Sequence, residues 1–172
     1  GVKKILTCDP HAYNTFKNEY PDLGGKYEVV HHTQFIRDRI AEGNLKIPQD
    51  SLKDQSITYH DPCYLGRANG EYRAPRQILS AFSAGKREMK RNRSFALCCG
   101  AGGGQMFKEA ETGDKEVFME RTEEALETGA DIIATACPYC MVMITDGLKY
   151  KNREETTKNY DIAELVVRAL GL

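Results

Sequence analysis

The chain has 172 residues, which is enough for a domain with its own hydrophobic core. Its 24 Lys and Arg residues are balanced by 25 Asp and Glu residues, giving a formal net charge of −1. This balance argues against a dedicated nucleic-acid or anionic-membrane binder, which would be basic. Apolar residues make up 41% and charged residues 28%, as is typical of globular domains, and the apolar runs are too short to span a membrane.

Strand-like apolar segments alternate with helical segments along the chain. The predicted strands cover residues 2–7, 27–31, 56–60, 94–97 and 131–135. Helices are predicted over residues 14–20, from Thr33 to Gly43, over 75–82, from Asp114 to Gly129, over 140–148 and from Asp161 onward. Alternation of this kind indicates βαβ units, so we expect an α/β fold with parallel sheets flanked by helices.

Six cysteines are the unusual feature of the composition. They are clustered and follow no signal peptide, which indicates intracellular metal or redox chemistry rather than a secreted disulfide scaffold. Five of them form a single cysteine, an adjacent pair and a C-x-x-C pair: Cys63, Cys98, Cys99, Cys137 and Cys140. Each group follows a predicted strand, and ligands of parallel sheets bind beyond the carboxyl ends of the strands. We therefore expect the five thiols to converge at one edge of a sheet.

Thiolates are ligands for zinc, iron–sulfur clusters and copper(I). Zinc prefers four ligands from two closely spaced pairs, whereas five thiols exceed one tetrahedral site and favour a larger cluster. A structural zinc module is the main alternative. Thiol–disulfide chemistry at either cysteine pair is less favoured, because all five thiols converge. Cys8 lies outside the pattern and fits an inert core thiol as well as a neighbour of the site.

The residues around the cysteines predict hydrogen bonds to a bound group. The segment after Cys99 is rich in glycine, and Gln105 stands where a dinucleotide-binding loop would need its third glycine. We therefore expect Gly100, Gly102 and Gly103 to let backbone N–H groups approach cluster sulfurs. We expect His60 to be a hydrogen-bonding neighbour of the ligands rather than a proton carrier.

The chain also contains an internal repeat. Residues 5–13 align with residues 133–141, which puts Asp9 where Cys137 stands and Ala12 where Cys140 stands. Residues 27–30 and the helix after them align with residues 160–163 and the last helix. The first copy has lost its pair of thiols, and the chain therefore looks like the end of one repeat followed by one complete repeat.

Three cysteine motifs carry a resemblance to a known family. They are H-D-P-C-Y-L-G-R at residues 60–67, C-C-G-A-G-G-G at 98–104 and C-P-Y-C at 137–140. Together they resemble the cysteine-rich CCG domain of heterodisulfide reductase B and D subunits and of glycolate and lactate oxidase iron–sulfur subunits. The resemblance covers essentially the whole chain. It is closest to the C-terminal part of iron–sulfur oxidoreductases linked to acyl-CoA dehydrogenase and electron-transfer flavoprotein.

The resemblance implies a [4Fe-4S] cluster, noncubane in some members, ligated by the five cysteines, with zinc as the alternative occupant. It implies that residues 1–50 are the tail of a first, degenerate CCG repeat and residues 51–172 a complete second one. The chain would relay electrons from a flavoprotein towards a quinone without turning over a substrate unaided. Asp9 and Ala12 depart from the ligand pattern, which disfavours the paired-cluster disulfide chemistry of the heterodisulfide reductase branch.

The same resemblance implies the protein's surroundings. Its partners would be the ferredoxin-type and membrane domains of a parent oxidoreductase, together with electron-transfer flavoprotein or another flavoprotein as donor. We expect the chain to have no membrane span of its own and no nucleic-acid partner. It would lie in the cytoplasm, at the cytoplasmic face of the membrane through the parent protein.

Overall fold

A computed structural model describes residues 1–82, 84–110 and 112–172. It has two parallel sheets. Strands β1 (Lys4–Thr7) and β2 (Glu28–His31) form the smaller sheet. The larger sheet contains β3 (Ser56–Tyr59), β4 (Gly85–Lys86), β5 (Ile132–Thr135) and β6 (Lys158–Asp161), in the order β4-β3-β5-β6. Each strand pair in the described residues is parallel, which confirms the predicted α/β class.

Seven α-helices flank these strands in the part of the chain that the structure describes. They are α1 (Pro10–Asn14), α2 (His32–Ala41), α3 (Cys63–Gly66), α4 (Arg73–Ser80), α5 (Val117–Glu127), α6 (Pro138–Tyr150) and α7 (Ile162–Ala169). Shorter helical segments are a π-helical stretch at Thr15–Glu19 and 3-10 segments at Tyr20–Leu23, Arg93–Phe95 and Gly102–Phe107.

Strands β3 and β5 form the centre of the larger sheet and are buried along their whole length. Alternate side chains of a strand point to opposite faces, and the core is divided accordingly. On one face Ile57 and Ile132 pack with residues of α4 and α7. On the other face Ile133 packs with α5 and α6. Burial on both faces explains why β5 is mostly apolar, whereas β3 also buries Ser56 and Thr58.

The predicted strand at residues 94–97 is wrong. Arg93–Phe95 forms a 3-10 turn, and residues 96–99 have no regular structure. Arg93 has a φ of 54°, which breaks an extended strand, and Phe95 is 85% exposed. The chain forms β4 and β6 instead, which the sequence analysis did not predict. Both are short and polar, so they carry no alternating apolar pattern.

Helix boundaries differ from those predicted in five places. The first helix begins at Pro10 with Asp9 as its N-cap, whereas residue 14 was the expected start. Helix α2 has His31 as its N-cap rather than Thr33, and α4 spans Arg73–Ser80 rather than 75–82. Helix α5 begins at Val117, and its N-cap Glu116 lies two residues after the predicted cap. Helix α6 begins at Pro138 and runs to Tyr150, so it is longer than the predicted 140–148. Proline at the first helical position explains two of these starts, since its missing N–H is not needed there.

The two βα pairs share one pairing register. Thr7 lies opposite His31 in the smaller sheet, and Thr135 lies opposite Asp161 in the larger one. His31 and Asp161 therefore occupy corresponding positions in the two pairs. The sequence alignment, which matched residue 27 with residue 160, differs from this structural correspondence by three positions. Each of these two residues also caps the following helix with a reciprocal capping box.

We predict that His31 makes stability depend on pH. Burial, and then the neighbouring His32, lower the pKa of His31 to about 3, whereas an unfolded histidine titrates near ~6.5. Between these values the unfolded state binds more protons, so stability decreases as pH falls through this window, by up to ~1.4 kcal/mol per pH unit. His31→Asn retains an N-cap acceptor and removes the titration. Urea unfolding at pH 4.5 and 7 should show a weaker pH dependence for the variant, and an unchanged dependence would contradict this assignment.

Candidate metal centre

The five cysteines of the motifs line one small cavity. Its volume is about 40 Å³, and its walls include Cys63, Cys98, Cys99, Cys137 and Cys140 together with Pro62, Tyr64, Pro10, His11, Ala101 and Gly102. Three of the five thiols are buried, and those of Cys63 and Cys98 are partly exposed. The structure therefore brings together all five side chains that the sequence singled out as ligands.

Neighbouring strands position two of the three cysteine groups. Strands β3 and β5 pair in parallel, so the segments that leave them reach the same edge of the sheet. Cys63 begins α3 after the β3 strand. Cys137 is the N-cap of α6, and Cys140 lies in the first turn of that helix. The backbone N–H groups of Tyr139 and Cys140 lower the pKa of Cys137, as expected for a thiol at the positive end of a helix.

The adjacent pair Cys98 and Cys99 is held by turns rather than by a strand. Arg67 donates a hydrogen bond to the carbonyl of Ala96, which anchors the segment before the pair. After the pair, the N–H of Gly100 donates to Sγ of Cys98 at 3.4 Å. Gly102 also lines the cavity, whereas Gly103 lines a neighbouring groove.

A continuous row of hydrogen bonds links the five sulfurs, in the order Cys63, Cys98, Cys99, Cys140 and Cys137. The S–H groups of Cys63 and Cys99 donate to Cys98, so the pKa of Cys98 falls far below its ordinary value. Bonding from Cys140 and from His11 lowers the pKa of Cys137 to about 6, although burial opposes this.

The other three thiols are held in the protonated form. Cys63 donates to Cys98 and is partly buried, and both effects raise its pKa. Bonding from Cys140 lowers the pKa of Cys99, but its own bond to Cys98 and its burial raise it to a net value of about 12. Donation to Cys137 and Cys99 and full burial raise the pKa of Cys140 well above its ordinary range.

This donor set fits a soft cationic group. Ionising all five thiols in one cavity would place five negative charges side by side, and the protein lowers the pKa of only two of them. A bound metal removes the obstacle, because coordination deprotonates thiols outright. Five convergent sulfurs are also the ligand type of iron–sulfur clusters.

The side of the cavity nearest the smaller sheet is formed by Pro10 and His11, which the sequence analysis did not assign to the site. His11, on α1, bonds to Cys137 and to Asp9, with 3.1 Å between its Nδ1 and Oδ1 of Asp9. The bond to Cys137, more than that to Asp9, raises the pKa of His11 against partial burial. The ring of His11 also packs between Tyr64 and Tyr139, at centroid distances of 4.2 and 5.0 Å. The internal repeat offered the only sequence signal, since Asp9 aligns with Cys137.

His60 lies beside the thiols. One of its ring nitrogens is within 4.8 Å of the sulfurs of Cys99 and Cys140, and the side chain is fully buried. Its Nδ1 accepts a 2.9 Å hydrogen bond from Nε of Arg121, an arginine that no sequence pattern singled out. Cys8 is exposed and is not among the residues that line the cavity.

A family model described as a cysteine-rich domain, CCG, matches residues 57–145, a segment that includes all five converging cysteines. The chain belongs to the CCG cysteine-rich domain family. This confirms the resemblance seen in the three motifs. No helix in the described residues is long and apolar enough to cross a membrane.

Curated relatives of this CCG chain are longer proteins. It is 48% identical over 170 residues to a probable iron-sulfur-binding oxidoreductase, FadF, of Bacillus subtilis, and 43% identical over 176 residues to an EtfAB:quinone oxidoreductase of Syntrophomonas wolfei. It covers 24% of each of these proteins, which match 98% and 99% of the chain. It is also 42% identical over 178 residues to one of the subunits of the dihydromethanophenazine:CoB–CoM heterodisulfide reductase of Methanosarcina barkeri, which matches 100% of the chain and of which the chain covers 42%.

We predict that Gly100 is required to shape the loop that carries the cysteine pair. Its φ is 90°, and an added Cβ would lie 3.2 Å from the backbone nitrogen of Phe118. Gly100→Ala should therefore destabilise the fold by about 2 kcal/mol. Gly102→Ala is the matched control, because a Cβ there meets nothing within 4 Å, and it should change stability by less than about 0.5 kcal/mol. Equal free energies of unfolding for the two variants would contradict the assignment.

Proposed function

We propose that the chain is the iron–sulfur cluster-binding, electron-transfer module of a larger oxidoreductase. The observation that carries this proposal is the convergence of five cysteine side chains on one cavity. The ligands of a [4Fe-4S] cluster, cubane or noncubane, would be Cys63, Cys98, Cys99, Cys137 and Cys140. Support comes from relatives whose names describe iron–sulfur binding and quinone or heterodisulfide oxidoreductases.

An iron–sulfur cluster, when bound, supplies reversible one-electron transfer. The task of the chain is then to hold and insulate it. Cys99, Cys137 and Cys140 are buried, which keeps water from that side of the centre. The N–H of Gly100 donates to one ligand sulfur, and Tyr64 and His11 close the cavity. Hydrogen bonds to sulfur and burial are the features through which a protein sets a cluster's potential.

The surroundings of the module are part of the proposal. The chain spans about a quarter of the FadF-like and EtfAB:quinone relatives, so other parts of such a protein would exchange electrons with it. We propose a flavoprotein as donor and a quinone as final acceptor, with ferredoxin-type and membrane domains in the parent protein. This arrangement would place the chain at the cytoplasmic face of the membrane.

We further propose that residues 1–50 are the tail of a degenerate CCG repeat and residues 51–172 a complete one. The equal pairing registers of the two βα pairs support this division. In this register Asp9 takes the place of Cys137, and Ala12 that of Cys140. A second set of thiols for paired-cluster disulfide cleavage is therefore missing from these positions.

Zinc is the second candidate occupant, because the five thiols around the cavity supply the soft ligands that zinc also binds. In that case the chain would be a structural assembly module without redox activity. Zinc sites of this kind have four ligands, so one of the five thiols would be left unused.

Anaerobic purification with iron, sulfide and zinc analysis separates the two candidates. We predict about four iron and four sulfide per chain, and a brown charge-transfer absorption that dithionite bleaches. Cys98→Ser should lose most of the iron, because Cys98 lies between two other thiols in the row. A colourless chain with one zinc and no sulfide would refute the electron-transfer proposal.

The control for this experiment is Cys8→Ser. Cys8 is exposed and follows β1, and it is not among the cavity residues. The variant should retain the iron, the sulfide and the spectrum of the unsubstituted chain. If Cys8→Ser and Cys98→Ser lost iron equally, the set of five ligands would be wrong.

A further inference from the structure

A buried arginine holds the histidine beside the thiols in a fixed orientation. Arg121, on α5, has a fully buried side chain, and its Nε donates to Nδ1 of His60 at 2.9 Å. The guanidinium is itself fixed, because Nη1 donates to the carbonyl of Arg91 at 2.9 Å and to Oε2 of Glu124 at 3.1 Å. Arg121 therefore cannot turn away from the imidazole without breaking an ion pair.

This contact determines where the imidazole carries its proton. A guanidinium has only donor groups and remains charged in proteins, so Nδ1 of His60 must be the acceptor. A neutral imidazole has a single N–H, which must then be on Nε2. Burial, and then the positive charge of Arg121, lower the pKa of His60 well below its usual value, in agreement with a neutral ring.

The Nε2–H group lacks an acceptor. It is buried and has no hydrogen-bond partner in residues 1–82, 84–110 and 112–172. A buried donor that stays unpaired is destabilising. The ring lies against the Cys99–Cys140 part of the sulfur row, and sulfur of a metal-bound thiolate or of a cluster is an acceptor of matching polarity.

We propose that His60 is a positioning residue that donates Nε2–H to a sulfur of the metal centre near Cys99 and Cys140, and that Arg121 keeps it in this donor form. His60 is then not a metal ligand, because Arg121 occupies Nδ1 and Nε2 holds the proton. The effect on a redox potential rests on the proposed iron–sulfur function. The proton position does not, since Arg121 fixes it whichever metal the thiols bind.

The proposed hydrogen bond would shift the reduction potential of a bound cluster in one direction. Reduction adds negative charge to the sulfurs, so an N–H···S bond stabilises the reduced form more than the oxidised form. His60 should raise the reduction potential of the centre. Because the hydrogen bond is stronger to the reduced centre than to the oxidised one, its loss should lower the equilibrium constant for reduction by up to about tenfold, about 59 mV for one electron.

The first test locates the proton directly. The full chain is labelled with ¹⁵N-histidine, loaded with zinc, and examined by nitrogen NMR at neutral pH. We expect the His60 signals to show a protonated Nε2 and an unprotonated Nδ1, and Arg121→Met to lose this preference. An unprotonated or zinc-bound Nε2 in the unsubstituted chain overturns the proposal, and this result would leave the iron–sulfur function itself untouched.

The second test measures the midpoint potential of the iron-loaded chain by optical redox titration. His60→Leu should give the lower potential described above, whereas His60→Gln, which retains an amide N–H, should recover part of the difference. His31→Asn is the control for a change at another buried histidine and should leave the potential unchanged. A His60→Leu potential equal to that of the unsubstituted chain would refute the proposed hydrogen bond.

Arg121→Lys keeps the test decisive if His60→Leu does not fold. Lysine retains the positive charge without the planar N–H groups that hold Nδ1. Loss of the fixed proton position in this variant, with the metal still bound, supports the role of Arg121. An unchanged proton position refutes it. A chain that binds no iron would show instead that the electron-transfer proposal had failed, and the NMR result on the zinc form would still decide the role of His60.

Discussion

Electrostatic repulsion among five ionised sulfurs in one cavity is the constraint on which the site depends. Sulfur atoms this close cannot all ionise in a buried place unless a cation compensates them. The protein responds with donors that point at sulfur: the backbone of Gly100, the first turn of α6 and the ring of His11. These groups favour negative sulfur before any metal arrives. The fold therefore favours negative charge at this site, which suits a cationic occupant.

Construction of the centre uses both sheets. Neighbouring strands β3 and β5 deliver two cysteine groups to one edge, as the topology of parallel sheets requires. The turn from β1 into α1 supplies His11 from the smaller sheet. Asp9, which aligns with Cys137 in the sequence, bonds through its carboxylate to His11. At this aligned position the chain thus contributes a hydrogen bond to the site rather than a thiol.

The sequence predicted the central strands and the convergence of thiols because both follow from strong local patterns. Apolar runs mark the buried strands, and cysteine spacing marks the ligand groups. The polar strand β6 has no such pattern, and the apolar segment at residues 94–97 forms a turn because Arg93 adopts a positive φ. Arg121 could not be identified either. An arginine among helical glutamates reads as a surface residue, and only the tertiary fold shows that it is buried against His60.

Because His11 lies beside Cys137, the site extends beyond the segment that the family model matches. The match begins at residue 57, yet part of the cavity wall comes from Pro10 and His11. A cysteine unit transplanted at the boundaries of the match would carry every thiol and lack one wall. Such a unit would let solvent reach Cys137. The residues that enclose this centre therefore extend beyond the segment that the family model matches.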